Sequence, residues 1–403
     1  MRLSCRGARN DAMTLAVPLK TETKPQDLSL RCIACDATLA PTLVYRCPDC
    51  GGILEVVRQK PEGRGWLRAD FVADDITLGE GGTPLRELRP DLLHAGFKGR
   101  LLVKDETRNP SGSFKDRLVA ASLSRAIALG ATGIVSASSG NAGAAAACYA
   151  ANAGIPAIIV CPEATPRGKL AQIVAYGATL EQVPGHYGNS FEHAKRLCAE
   201  TGYANLTTTY LNPYGVDALR LVGQELHEQM GRIVPDWIAI PTSSGPLVKG
   251  VFQGFMDRVG EVPRLIAAQS EGCAPIARAF KDGKIDVDGW ENPKTIASGI
   301  SDPLLGYPEE GSLTLSLVRA SKGVAYAVGD ECIREAMIDL ARKAGLFCEP
   351  TGAASLAAAR DLFMNGTIGS TDTVVCIVTG HGFKDFAAHE GVGHSIHRGS
   401  RPL

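Results

Sequence analysis

From about residue 75 onward, short apolar runs alternate with amphipathic or alanine-rich stretches. The runs "RLLVKDE" (100–106), "TGIVSAS" (132–138), "IPAIIVCP" (155–162), "VPDWIAIPTSSG" (234–245), "RLIAAQS" (264–270) and "TVVCIVTG" (373–380) read as strands, most of them continuous in their apolar character. Between them "FKDRLVAASLSRAIALG" (114–130, closed by Gly130), "GNAGAAAACYAANAG" (140–154) and "KLAQIVAYGA" (169–178) read as helices. Buried strands alternating with helices predict an α/β fold with parallel sheets covered on both faces. The chain shows no internal repeat and no low-complexity segment.

Residues 133–162 carry no charge, which raises the question of a membrane span. Gly140, Asn141, Gly143, Asn152, Gly154 and Pro156 break the apolar run, so it reads as strand, helix and strand instead. The length of 403 residues suggests two or three domains. The 42 Lys+Arg against 43 Asp+Glu leave a formal charge of −1, too balanced for an electrostatic nucleic-acid binder. Arg2, Arg6 and Arg9 lie among the first twelve residues, but no apolar signal core follows. A tail, or a true start at Met13, is expected there, with a targeting segment as the alternative.

Four of the twelve cysteines form "CIAC" (Cys32, Cys35) and "CPDC" (Cys47, Cys50), with 11 residues between the pairs. Each Cys-x-x-Cys turn offers two thiolates to one tetrahedral zinc, and Gly51 and Gly52 suit the tight turn after the second pair. A zinc-ribbon-like segment is the expectation for 29–57, and redox disulfide chemistry is the alternative. Four cysteines saturate zinc, so the segment is read as structural. The other eight are scattered as reduced thiols, which fits a cytoplasmic protein.

In parallel sheets, ligands bind beyond the carboxyl ends of the strands. Four loops there carry candidate chemistry. "NPSGSFKDR" places Lys115 at a helix start. A solvated lysine is the ordinary reading; a phosphate-binding Walker loop fails because Lys115 follows Phe114 and precedes Asp116. A covalent lysine fits, since a helix start and an apolar ring disfavour its ammonium form. "SASSGNAG" (136–143) crowds Ser138, Ser139, Gly140 and Asn141 at a helix start, more than an N-cap requires and suited to a carboxylate. "PTSSGP" (241–246) is a small-residue turn whose amides suit an anion, although alone it reads as a plain turn. "VTGHGFKD" (378–385) ends a buried strand in Thr379, two glycines and His381. A lysine, an anion nest, a carboxylate nest and a strand-end hydroxyl together suit pyridoxal phosphate.

The motifs "LGEGGTPL" (78–85), "KDETRNPSGSFKDR" (104–117), "SASSGNAGAA" (136–145), "GKLAQIVAYGA" (168–178), "EGCAPIARAF" (271–280) and "VTGHGFKD" (378–385) carry a family resemblance. The chain resembles the threonine synthase branch of the tryptophan-synthase-like, fold type II pyridoxal-phosphate enzymes. The resemblance implies two parallel-sheet domains: a large one from 75–120 plus 230–390 and a smaller one from 121–229. Tails at 1–28 and 391–403 flank them, with the zinc-ribbon-like segment at 29–57. It implies a homodimer acting on a small amino acid, without nucleic-acid or membrane partners. It makes Lys115 the catalytic lysine bonded to the cofactor, beside Phe114. Asn141 would meet the ring's 3′ oxygen. Thr242, Ser243, Ser244 and Gly245 would cup the phosphate, and Thr379 would meet the pyridine nitrogen. Ser138, Ser139 and Gly140 would face the substrate carboxylate.

Two departures from the pattern matter, at three positions. Thr242 and Pro246 stand where the phosphate cup usually has glycine and asparagine, and Pro246 has no N–H to donate. Gly215 stands where threonine synthases commonly have an arginine that holds the phosphate of O-phosphohomoserine. Lys104 is the first substitute for that cation and Arg220 the second, with Arg167 and Lys169 behind them. Threonine synthase remains the leading expectation on the resemblance, and the missing arginine is the feature that favours a lyase. The alternatives are an ammonia-lyase or β-replacement enzyme on threonine, serine or a related amino acid, and a zinc-ribbon regulatory protein with an inactive fold.

Overall fold

The computed structural model describes residues 28–58, 76–138, 140–185 and 187–389. The expectations for the first twelve residues and for 391–403, and the candidate Ser139, lie outside them. The chain opens with a three-stranded antiparallel ribbon of β1 (Leu28–Cys32), β2 (Thr38–Leu39) and β3 (Leu54–Arg58), in the order β2-β1-β3. Next come β4 (Leu85–Leu88), β5 (Arg100–Asp105) and α1 (Lys115–Ala128). The following stretch holds β6 (Ile134–Ala137), α2 (Asn141–Ala153), β7 (Ala157–Pro162), α3 (Arg167–Ala175), β8 (Thr179–Val183), α4 (Tyr187–Thr201) and β9 (Ala204–Asn205). After α5 (Pro213–Ala218) and α6 (Arg220–Gln229) come β10 (Trp237–Pro241), α7 (Pro246–Val259), β11 (Arg264–Ser270), α8 (Pro275–Lys281) and α9 (Pro308–Ala320). The last strands and helices are β12 (Val324–Val328), α10 (Asp330–Ala344), α11 (Pro350–Met364) and β13 (Thr373–Val378), followed by a 3-10 stretch over Gly382–His389.

The larger sheet has the order β12-β11-β10-β13-β5-β4 and the smaller β8-β7-β6-β9. All pairs are parallel except β4 with β5, an antiparallel edge the apolar pattern did not announce. "LREL" at β4 is short and half polar, as an edge strand allows. The continuous apolar runs have the expected cause. On β5 and β13, Leu101, Val103, Val374 and Cys376 face one core, while Leu102, Val375 and Ile377 face another. The alanines of α2 pack against the smaller sheet, where Ala145 and Ala146 are fully buried. No helix among the described residues is long and apolar enough to cross a membrane.

The ribbon is bolted to this body. Leu30, Cys32, Cys47, Leu54 and Val56 form an apolar cluster with Tyr214 of α5. Arg58 pairs with Asp217, and the buried Lys249 of α7 donates to Glu55 at 2.8 Å.

Candidate active site

A cavity of about 220 Å3 lies at the carboxyl ends of β6, β10 and β13. Phe114, Lys115, Ser138, Gly140, Asn141, Ser243 and Thr379 all line it. The turn before α1 is stitched to the end of β13: Phe114 N donates to the Thr379 carbonyl at 3.0 Å, and His381 N donates to the Gly112 carbonyl at 2.9 Å. This holds Lys115, the first residue of α1, over the cavity.

Lys115 Nζ donates to Thr208 Oγ1 at 2.8 Å and to the Thr208 carbonyl at 3.2 Å. Burial pushes its ammonium down to about 8, against the opposing pull of the Asp302 and Glu310 carboxylates. The neutral amine, the nucleophilic form, is therefore well populated near that pH. Across the cavity Asn141 Nδ2 donates to Glu349 Oε1 at 2.7 Å. Glu349 is itself buried, and burial raises its carboxyl to about 7. Asp302, also raised by burial, accepts from Tyr307 Oη at 2.9 Å.

The turn at 241–246 joins β10 to α7. Ser243 lines the cavity, whereas the Thr242 hydroxyl donates to the Ile240 carbonyl at 2.7 Å. Gly245 sits at φ 110° ahead of Pro246, and a Cβ there would fall 2.1 Å from Thr314 Oγ1. Only glycine fits both the conformation and the space.

The structure tests whether these residues suit pyridoxal phosphate. Thr379 Oγ1 is buried at the cavity wall and finds no hydrogen-bond partner among the described residues. A buried hydroxyl without a partner is costly unless a ligand satisfies it, and a pyridine nitrogen would. With Lys115, Asn141 and Ser243 around the same space, and Ser244 and Gly245 behind Ser243 in its turn, the residues fit that cofactor.

Two expected cations are set aside. Lys104 is fully buried and donates to Glu225 and the Thr83 carbonyl at 2.8 Å each and to Gln229 at 2.9 Å. Arg220 is committed to Asp217 at 2.6 Å and Asp257 at 3.2 Å. Neither lines the cavity. The two lysines that do, besides Lys115, are Lys169 and Lys384. Lys169 pairs with Asp385 and donates to Ser298, each at 2.7 Å. Lys384 donates to Gln172 at 2.6 Å. The place of the missing arginine is also reassigned. Gly215 packs on α1, where an added Cβ would lie 2.4 Å from Ser122 Oγ and 2.6 Å from Leu118.

Sequence reasoning missed Thr208, Asp302, Glu310, Glu349 and the position of Lys384. Glu349 had a local signal, a carboxylate ahead of Pro350 at a helix start. Lys384 lay inside the quoted "GHGFKD". Asp302 and Glu310 stand in or beside a long irregular stretch and carry no sequence signal.

In the ribbon, Cys32, Cys35, Cys47 and Cys50 place their sulfurs within 4.8 Å of one another. Near pairs are separated by 3.4 to 3.7 Å. The edge of a tetrahedron with zinc–sulfur bonds of about 2.3 Å is about 3.8 Å, so the four thiols fit a zinc ion. Gly52 is required beside them, because a Cβ would lie 2.8 Å from Cys32 Sγ.

Comparison with known proteins completes the description of the site. A sequence profile described as pyridoxal-phosphate dependent enzyme matches residues 76–380. Threonine synthase of Methanosarcina acetivorans is 34% identical over 378 residues, covering 88% of this chain and 92% of the relative. Threonine synthase of Methanocaldococcus jannaschii is 34% identical over 381 residues, with the same coverage. Among solved structures, maize serine racemase superposes with a TM-score of 0.65 at 29% identity, covering 74% of this chain and 88% of that one.

Proposed function

The chain belongs to the pyridoxal-phosphate dependent enzymes, and we propose that it is a threonine synthase, converting O-phosphohomoserine and water to threonine and phosphate. The observation that carries this reading is the pair Lys169 and Lys384 in the same cavity as Lys115. A phosphorylated substrate needs cations beyond the covalent lysine. The similarity to two threonine synthases, over 88% of this chain and 92% of each relative, supports it.

Bound pyridoxal phosphate supplies an electron sink that acidifies the α-hydrogen of an amino acid. The chain's own residues do the rest. Lys115 holds the cofactor and moves the proton at the substrate's α carbon. Asn141 would help hold the cofactor ring, and Phe114 would shape the pocket. The turn of Thr242, Ser243, Ser244 and Gly245 holds the cofactor phosphate. Ser138 and Gly140, at the start of α2, hold the substrate carboxylate. Thr379, a hydroxyl rather than a carboxylate, does not force the pyridine nitrogen to stay protonated, which favours elimination over transamination. Lys169 and Lys384 hold the leaving phosphate.

A second reading has an observation of its own. The half-buried Asp302 and the buried Glu349 put two carboxyls in the same cavity, and both lysines already have partners. An ammonia-lyase or β-replacement enzyme on an unphosphorylated amino acid would need no free cation there. Offering O-phosphohomoserine, threonine, serine and O-acetylserine separately decides between them. Phosphate and threonine from the first substrate are expected. Oxoacid from threonine or serine, with no phosphate released from O-phosphohomoserine, establishes the second reading. Lys169→Met or Lys384→Met is expected to raise KM for O-phosphohomoserine by roughly one to two powers of ten, as for loss of a charged contact. The same substitutions should barely move KM for an unphosphorylated amino acid.

For the ribbon we propose one structural zinc ion per chain, held by Cys32, Cys35, Cys47 and Cys50. Cys32→Ser with Cys35→Ser should abolish metal binding and lower the unfolding temperature, because structural zinc contributes directly to folding. Metal analysis and a thermal melt read both effects. Intact protein with no metal and four reactive thiols refutes the site.

A further inference from the structure

Glu310 stands in the first turn of α9 and is 1% exposed. Its Oε1 accepts from Arg46 Nη2 at 2.8 Å and from Thr209 Oγ1 at 3.2 Å, and its Oε2 accepts from Tyr210 N at 3.3 Å. Arg46 comes from the ribbon, one residue before Cys47, while Thr209 and Tyr210 belong to the strap at 208–210. That strap touches the candidate site at both ends. Thr208 takes both hydrogen bonds from Lys115 Nζ. Tyr210 Oη donates to the Gly245 carbonyl at 3.1 Å and lies 3.0 Å from Thr314 Oγ1. Thr314, one turn along α9 from Glu310, donates to the Ser244 carbonyl at 2.5 Å.

We infer that Arg46 and Glu310 are positioning residues that fix the 208–210 strap, and through it both Lys115 and the 243–245 turn, so that the cysteine ribbon forms part of the cofactor site's scaffold. A carboxylate this buried is destabilising unless a cation and several donors satisfy it. The strap supplies two of the donors and the ribbon supplies the cation. Burial first, and the charge of Asp302 after it, push the Glu310 carboxyl up to about 7, and Arg46 is the cation that opposes them. Arg46 also reaches Glu309 at 3.2 Å, which keeps the guanidinium against the start of α9. The β-strands and cysteine turns on either side of Arg46 set where that guanidinium lies. A displaced ribbon therefore loosens Glu310, then the strap, then the contacts at both ends of the cofactor pocket.

The inference rests on Lys115 and the 243–245 turn holding the cofactor, as proposed above. Its test is the affinity for pyridoxal 5′-phosphate, titrated by absorbance into full-length protein stripped of cofactor, with circular dichroism confirming the fold. Arg46→Met and Glu310→Gln are each expected to weaken binding roughly tenfold to a hundredfold, the range for loss of a charged hydrogen bond. Arg46→Lys should recover most of that loss. The double variant should bind no more weakly than the weaker single variant, because both act on one linkage. A merely structural role would lower the melting temperature and leave the affinity of the folded protein unchanged. Folded Arg46→Met and Glu310→Gln that bind within about twofold of wild type, a difference too small for one charged contact, overturn the inference. Should either fail to fold, Thr209→Val removes the strap's hydroxyl contact with Glu310, together with the bond that hydroxyl accepts from Leu211 N, and must still weaken binding; an unchanged constant overturns the inference equally. Borohydride reduction of the wild-type holoprotein separates the two layers. Label on a residue other than Lys115 sinks the underlying assignment as well. Label on Lys115 with unchanged affinities in the variants sinks the inference alone.

Discussion

Lys115→Ala is expected to lower turnover by three or more powers of ten, roughly the scale seen when a group that acts as a unit with its site is removed. The variant loses the covalent anchor and the proton carrier together. The fold should survive, because the side chain faces the cavity, and its amine donates to Thr208 and lies 4.9 Å from the centre of the Phe114 ring. Stability should rise slightly at neutral pH. A lysine whose folded value is depressed to about 8 opposes folding while the unfolded chain keeps its proton, so removing it relieves that cost. The relief is full below about 8 and fades as pH climbs from there to the ordinary lysine value of 10.5. Steady-state rates and melting curves at pH 7 and pH 10 check both parts. Near-normal turnover by the purified variant would remove Lys115 from the mechanism.

Lys115, Asn141 and Thr379 were legible in the sequence because each closes a buried strand or opens the helix after it. Strands hidden on both faces show as apolar runs, and their ends show as glycine-rich and hydroxyl-rich turns. Lys104 misled because chain proximity says nothing about which face of a strand a side chain takes. Side chains alternate along β5. Leu102 and Lys104 share the face that meets α6, where Leu226 packs and Glu225 takes the ammonium. Arg220 misled in the same way, since its partners Asp217 and Asp257 come from α5 and α7. Asp302, Glu310 and Thr208 converge only through tertiary packing, and no local spacing could have paired the ribbon's Arg46 with a carboxylate on α9. Gly215 shows how far a motif comparison reaches. It identified a position that differs, but not the direction in which that position points.

Gly215→Arg is expected to destabilise the protein without improving its hold on a phosphorylated substrate. Gly215 is buried in α5, and a Cβ alone would lie 2.4 Å from Ser122 Oγ and 2.6 Å from two carbons of Leu118. Both neighbours belong to α1, the helix that begins with Lys115. Ser122 also donates to the Leu118 carbonyl at 2.8 Å, so it cannot simply turn away without leaving a buried hydroxyl unsatisfied. Relief must come from α5 moving off α1. Overpacking of this kind costs about 1–3 kcal/mol for small additions, the range expected for Gly215→Ala. An arginine must also bury or extrude its charge, which places it among the rare substitutions costing about 4–5 kcal/mol or more. Gly215→Ala should therefore fold with a lowered denaturation midpoint and a shifted Lys115, read as reduced kcat with little change in KM. Gly215→Arg should be largely unfolded or insoluble. A soluble Gly215→Arg protein of unchanged stability and lower KM for O-phosphohomoserine would show that residue 215 can face the substrate, and would return the phosphate clamp to α5.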